Sequence, residues 1–256
     1  MSDAVKVTNT DGVLVLTLSR AEKKNALTEA MYGKLADAME AAEQDPQARV
    51  ILLQAEGELF TAGNDLGEFA AFAASGAQGP RNVHRFLHAL ASASRPIVAA
   101  VQGKAVGIGV TLLLHCDYVL LSKDAQLTTP FVGLALVPEA ASSLLLTARI
   151  GHARAFAMFA LGEALRAPEA LACGIANQVV AGPDLAAAAA QVAQRLAAQP
   201  LGALAATKRL MRDAEAIMTQ MEAESTEFVA RLKSPEAREA FTAFMEKRKP
   251  DFSKFS

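Results

Sequence analysis

Tryptophan is absent from this chain of 256 residues, and tyrosine occurs twice. Proteins that hold single-stranded nucleic acid stack bases on aromatic side chains, so this shortage argues against that class. Charge of one sign is lacking too. The formal net charge is -2, and no basic stripe interleaved with aromatics offers a footprint for phosphates. Cysteine is scarce: Cys116 and Cys173 stand far apart, without CxxC or metal-like spacing. That argues against a disulfide framework and for buried thiols in a reducing compartment. Long hydrophobic runs are missing as well. The most apolar stretch, 97–114, is broken by Gln102, Lys104 and three glycines, whereas a spanning helix needs about 20 mostly apolar residues. The first residues lack the basic and apolar regions of a secretory signal. The expectation is a cytoplasmic protein with neither a membrane nor a nucleic acid as partner.

What the chain does have is apolar mass. Hydrophobic residues make up 52% and charged residues 20%, enough for a sizeable core. Val13–Leu18 alternates and follows Asp11-Gly12 and an earlier apolar-polar run at 5–8, which predicts a hairpin. Thr28 opens a helical spacing through Met31, Leu35, Ala38, Met39 and Ala42 that stops before Pro46. The runs 50–53 and 97–101 are short and wholly apolar, as in strands buried on both faces. A Gly- and Ala-rich stretch at 57–80 separates them from a helical pattern around 83–90. Gly103, Gly107 and Gly109 read as a turn into a helix at 110–115, with a further strand at 118–121. Strands alternating with helices predict an α/β fold with parallel strands. From Leu185 onward only helical patterns remain, at about 185–198, 204–218, 221–232 and 235–248, punctuated by Pro183, Pro200 and Pro235. The expected division is an α/β core at 1–195 and a helical region at 196–256.

Glu139 is the most informative residue. No ionisable side chain occurs in the ten residues before it, and none follows until Arg149. A carboxylate so placed is partly desolvated, which raises its pKa toward the range of a general base. It also suits a first helical turn beside Pro138, where a carboxylate favours the helix dipole. The two readings are compatible. Two glycine turns, at 59–66 and 103–110, each follow a buried strand and precede a helix. Side by side, they would aim two backbone N–H groups at one oxyanion. Ordinary βα turns, in which Gly merely permits positive φ, are the commoner meaning of such spacing. No dinucleotide fingerprint is completed, because Leu112 stands where a third glycine belongs, and no P-loop is present. His84 and His88 lack a third ligand nearby and are expected at a solvated boundary, while His115 and His152 are expected to be structural. Ser142-Ser143 lacks a nucleophile elbow. The basic clusters Lys208-Arg209 and Lys247-Arg248-Lys249 suit a solvated face, or contact with phosphate as the sharper alternative.

Several segments together resemble the crotonase (enoyl-CoA hydratase/isomerase) superfamily over nearly the whole chain. They are Lys24-Asn25-Ala26-Leu27, the run 60–66 with Gly63-Asn64-Asp65, the run 101–109 with Gly107-Ile108-Gly109, Cys116-Asp117-Tyr118, and the terminal run 243–249. The resemblance implies a spiral of ββα units, a C-terminal helical trimerisation region, and an acyl-CoA thioester as substrate. It implies a homotrimer or a dimer of trimers, and no cofactor beyond the coenzyme A of the substrate. By motif position the oxyanion hole would be the backbone N–H groups of Asn64 and Ile108. Lys24 matches the position near the coenzyme A phosphates, and Ala62, Asp65 and Leu66 match the lining of adenine and pantetheine. Phe228, Phe244 and Lys247 match C-terminal residues that complete the coenzyme A site, often from a neighbouring subunit. The two water-activating glutamates of the hydratases are replaced by Thr111 and Phe131, and Phe131 stays as a lining residue. The pattern is similar to the peroxisomal-type Δ3,Δ2-enoyl-CoA isomerases, which place one catalytic glutamate at the position of Glu139. A hydratase, another chemistry of the superfamily, or a non-catalytic acyl-CoA-binding homologue are the alternatives.

Overall fold

Asp11 and Gly12 both take positive φ, 52° and 81°, and this two-residue turn joins β1 (Val5–Thr10) to β2 (Val13–Leu18) as the pattern predicts. The structure is a computed structural model and describes residues 3–75 and 82–255. Part of the Gly- and Ala-rich stretch, 76–81, therefore lies outside the described residues. Thr28 caps α1 (Glu29–Gln44) by accepting a hydrogen bond from the Met31 N–H at 3.3 Å, and the helix buries Met31, Leu35, Met39 and Ala42. β3 (Val50–Ala55), α2 (Leu66–Ser75) and α3 (Asn82–Ser92) follow, and α3 packs on α1 with the Tyr32 and Phe86 rings 5.6 Å apart. Next come β4 (Ile97–Val101), β5 (Lys104–Val106), α4 (Ile108–Thr111) with a tighter turn at Leu112–His115, β6 (Tyr118–Ser122), β7 (Gln126–Thr128), α5 (Ser142–Ile150) and α6 (His152–Phe156). β8 (Leu165–Arg166), α7 (Ala167–Ala172), β9 (Gln178–Val180) and α8 (Leu185–Ala197) close the core.

The strands form two sheets. The larger has the order β1-β2-β3-β4-β6-β9 and is parallel except at the first hairpin. The smaller has the order β5-β7-β8. The chain lays one strand in the large sheet, a short one in the small sheet, then a helix, and repeats. This is the spiral of ββα units that the resemblance implies. Gly103 to Gly109 is accordingly not a single turn. β5 lies within it, held by parallel pairing of Lys104, Ala105 and Val106 with Gln126, Leu127 and Thr128. Three residues carry too little periodicity to be read as a strand without that partner.

The central strands β3, β4 and β6 of the large sheet are buried on both faces, which explains their mostly apolar sequences. On one face Leu16, Ile51, Leu53, Ala99 and Val101 join the core with α1 and α3. On the other, Val50, Leu52, Val98 and Leu120 meet Leu185, Ala189 and Val192 of α8. Each such Val or Leu contributes roughly 1.5–3 kcal/mol on burial.

After α8 the chain is helical: α9 (Leu201–Met211), α10 (Ala214–Leu232) and α11 (Pro235–Met245). The expected run at 204–218 is two helices. The break falls at Arg212 and Asp213, where the Asp213 carboxylate accepts the Ala216 N–H at 3.0 Å and starts α10 afresh. α10 packs against α3 and α5, whereas α9 leaves Leu210 and Met211 86% and 83% exposed. No helix among the described residues is long and apolar enough to cross a membrane.

Candidate active site

The two glycine turns lie side by side. Thr61 bridges Ala105 in parallel, and the Val106 N–H donates to the Thr61 carbonyl at 3.1 Å. Gly63 takes φ +90°, and a Cβ there would sit 2.9 Å from the Val106 carbonyl oxygen. Gly107 has φ 55° and ψ −117°, a region essentially reserved for glycine. Its N–H is tied to the Thr128 carbonyl of β7 at 2.8 Å. Thr61 braces the first turn: its Oγ1 donates to the Asn25 carbonyl at 2.6 Å and accepts the Gly63 N–H at 3.1 Å. Asn64 and Ile108 follow these two glycines. Among the described residues neither backbone N–H donates a hydrogen bond within the chain. Ile108 opens α4, whose first N–H groups have no intrahelical partner. The Asn64 side chain is fixed by the buried Tyr32 hydroxyl, 2.5 Å from Oδ1.

Glu139 meets the other end of α4. Thr111, its last residue and fully buried, donates from Oγ1 to Glu139 Oε1 at 2.5 Å. One four-residue helix thus separates an unpaired N–H from the carboxyl group. Glu139 is half-buried. Desolvation pushes its carboxyl up to about 8; the Thr111 hydrogen bond opposes the rise, and the neighbouring Glu224 carboxylate adds to it.

The helix-cap reading of Glu139 does not hold. α5 starts at Ser142, and its N-cap is Ala141 with φ 56°. Glu139 uses its carbonyl, which accepts the Ser142 N–H at 3.1 Å, while its carboxyl points to Thr111. The carboxylate that meets the start of α5 is Glu224 of α10, which accepts the Ser143 N–H at 2.8 Å and the Ser143 hydroxyl. Ala140 and Ala141 both occupy the left-handed region, φ 60° and 56°. That conformation costs a non-glycine residue roughly 1–2 kcal/mol.

The remaining expected residues fall in three groups. Lys24, exposed, lies beside Ala62, whose N–H donates to the Lys24 carbonyl at 2.9 Å. Asp65 pairs with Arg20 at 2.9 Å and accepts the Gly67 and Glu68 N–H groups at the start of α2, so Arg20 first and these bonds second hold its carboxyl below the usual range. Leu66 packs on the core. Phe131 is buried against Phe159, and Phe228 meets Phe69 edge-on, each pair with ring centres 6.0 Å apart. Phe244, 56% exposed, and Lys247 lie at the end of α11, on the surface of the single chain.

The basic pair reading fails at Lys208. Its ammonium donates to Asp117 Oδ2 at 2.7 Å and to the Arg95 carbonyl at 2.8 Å, with the side chain 9% exposed. His84 and His88 are exposed, and among the described residues no three His, Cys, Asp or Glu gather to hold a metal. Sequence reasoning missed three contacts at the site: Thr111 with Glu139, His115 with the Ala140 carbonyl at 2.8 Å, and Glu224 with Ser143. A signal existed for Glu224. It occupies the apolar stripe Ile217, Met221, Phe228, Leu232 of α10, where a carboxylate is out of place.

Residues 8–254 match the family model for enoyl-CoA hydratase/isomerase. The chain is 34% identical over 249 residues to the 1,2-epoxyphenylacetyl-CoA isomerase of Escherichia coli K12, covering 94% of this chain and 95% of that protein. It is 30% identical to the 2,3-dehydroadipyl-CoA hydratase of the same organism, covering 98% and 99%. Among solved structures, an enoyl-CoA hydratase/isomerase from Pseudoalteromonas atlantica T6c superposes with a TM-score of 0.92 at 41% identity, covering 98% of this chain and 100% of that one. With the ββα spiral, the paired glycine turns and a match that spans almost every residue, this chain belongs to the enoyl-CoA hydratase/isomerase family.

Proposed function

We propose that this chain is an enoyl-CoA isomerase that shifts the double bond of a 3-enoyl-CoA into conjugation as trans-2-enoyl-CoA. Family membership makes it an enzyme of the hydratase/isomerase type, and the finer assignment rests on one observation. Glu139, a carboxyl group with a raised pKa, hydrogen-bonds to one end of α4, and the Ile108 N–H, without a partner among the described residues, sits at the other.

Glu139 removes a C2 proton, and the electron pair of that bond passes into the thioester as an enolate. The Asn64 and Ile108 N–H groups hold the enolate oxygen. The protonated Glu139 then delivers the proton to C4, the enolate collapses, and the double bond comes to rest between C2 and C3. One carboxyl serves both steps because C2 and C4 belong to one allylic system. A pKa of about 8 suits a group that must accept and return a proton near neutrality.

A hydratase reading is favoured by the name of the dehydroadipyl-CoA relative. Against it, Thr111 already donates to Glu139, Phe131 carries no ionisable group, and Glu224 is 6% exposed and bonded to Ser143. Lys24, Ala62, Asp65 and Leu66 are assigned to coenzyme A. Phe244 and Lys247 complete that site from a neighbouring copy in a trimer, which would also cover Leu210 and Met211. The test is to supply 3-enoyl-CoA and 2-enoyl-CoA separately to the wild-type enzyme. Conjugated product from the first with little hydration of the second is expected. Hydration as the faster reaction overturns the proposal.

A further inference from the structure

The turn that follows Glu139 adopts a conformation its own residues disfavour. Ala140 and Ala141 are consecutive left-handed alanines, so the carboxyl direction at Glu139 depends on whatever holds that turn. Two side chains from distant segments do so. His115 comes from the turn after α4 and is buried. Its Nε2 lies 2.8 Å from the Ala140 carbonyl, which can only accept, so Nε2 carries the proton. Its Nδ1 is then the acceptor, and it receives a hydrogen bond from the Arg212 guanidinium. Burial, with Arg212 nearby, keeps the imidazole neutral, which preserves this tautomer. Glu224 reaches across from α10. Its Oε1 accepts both the N–H and the hydroxyl of Ser143, and Gln220, one turn earlier, donates to the same hydroxyl at 2.9 Å.

Glu224 is an expensive residue to keep for stability alone. It is 6% exposed, and its Oε2 has no hydrogen-bond partner among the described residues. Buried carboxylates with an unpartnered oxygen destabilise a fold, and such costs concentrate where function requires a fixed geometry. No ion pair to Glu224 is found among the described residues. Its attachments are to the first turn of α5 at Ser143 and to the backbone N–H of Ala141 in the strained pair, both of which favour its charged form.

We propose that His115 and Glu224 are positioning residues that clamp the left-handed Ala140–Ala141 turn from its two sides and thereby fix the direction of the Glu139 carboxyl. Neither touches the substrate. They act through the backbone on either side of the turn, Glu224 also raising the Glu139 pKa through its charge, and their effect belongs to the chemical step and not to coenzyme A binding. The proposal rests on the reading of Glu139 as the base.

The test compares Glu224→Leu, Glu224→Gln, His115→Leu and His115→Gln with wild type and Glu139→Gln, using 3-enoyl-CoA. Glutamine keeps an acceptor for the Ser143 N–H at one site and a donor for the Ala140 carbonyl at the other. The leucine variants are expected to lose about 10- to 100-fold in kcat with KM within about threefold, and the glutamine variants to recover kcat to within about threefold. Glu224→Leu should not lower the thermal midpoint in proportion, because it removes a buried charge. Glu224→Ala and His115→Asn replace any leucine variant that does not fold, with the same expectation. Unchanged kcat in the deletion variants overturns the proposal. So does a loss that moves kcat, KM and thermal midpoint together and is not restored by glutamine. The Glu139→Gln control separates the two readings: if it stays active, the assignment of the base fails first; if it is inactive while the clamp variants behave as wild type, only the clamp fails.

Discussion

Thr111 Oγ1 donates to Glu139 Oε1 at 2.5 Å, joining a buried hydroxyl of α4 to a half-buried carboxyl group. The bond opposes the desolvation that raises the pKa of Glu139. Thr111→Val keeps the shape and removes the donor, so the pKa rises further. The acid limb of the kcat/KM profile should move to higher pH, with a loss of about tenfold at pH 7, equivalent to one pKa unit. Thr111→Ser should retain the wild-type profile. A profile for Thr111→Val that overlays wild type would show that the bond does not tune the base.

In the proposed mechanism Ile108 contributes only its backbone N–H, so its side chain is replaceable in a way that N–H is not. It is the first residue of α4, a position that tolerates proline. Ile108→Pro should therefore fold while lacking one oxyanion donor, and kcat should fall by about 10²–10³. Ile108→Val, which keeps the N–H, should stay within a few-fold. Steady-state rates together with a circular dichroism spectrum of each variant decide this.

Gly63→Ala places a methyl group 2.9 Å from the Val106 carbonyl oxygen in a backbone with φ +90°. The two turns must separate to admit it. A destabilisation of about 1–3 kcal/mol is expected, together with lost kcat, because Asn64 moves away from Ile108. Urea denaturation and a rate assay on the same sample measure both.

Much of this was legible in the sequence, and the rest was withheld for physical reasons. The Thr28 cap, the Asp11-Gly12 hairpin and the doubly buried strands are local signals, and each appears within a few residues of its expected place. Glu139 stood out because isolation of a charge is itself a sequence property. The three-residue strands β5 and β7 were not legible, since only their mutual pairing defines them. Nor were the partners of the Glu139 turn: His115 lies 25 residues from Ala140 and Glu224 lies 81 from Ser143, so only tertiary packing brings them together. The break at Arg212 and Asp213 was hidden by helical spacing that continues through it. Lys208 looked solvated because its carboxylate partner, Asp117, lies 91 residues away.

The pKa of Glu139 also fixes a pH dependence of stability. Its folded value, about 8, lies above the ordinary 4.5. Between those values the folded chain holds a proton that the unfolded chain has released, so this group's contribution to stability falls as pH rises from 4.5 to about 8 and levels off above. Glu139→Gln lacks that slope. The variant should match wild type near pH 4 and be more stable by about 1–3 kcal/mol near pH 8.5, with the partial exposure of Glu139 moderating the gap. Equal denaturation midpoints at both pH values would remove the case for a desolvated carboxyl.

The most direct measurement is the isomerisation of 3-enoyl-CoA by Glu139→Gln, followed by absorbance of the conjugated product at saturating substrate. Glutamine preserves size and the place beside Thr111 but neither accepts nor returns the proton. A loss of at least about 10² in kcat, with a folded protein and little change in KM, is expected for the proposed acid–base group. A variant that isomerises within a few-fold of wild type would contradict the assignment of Glu139 as the base.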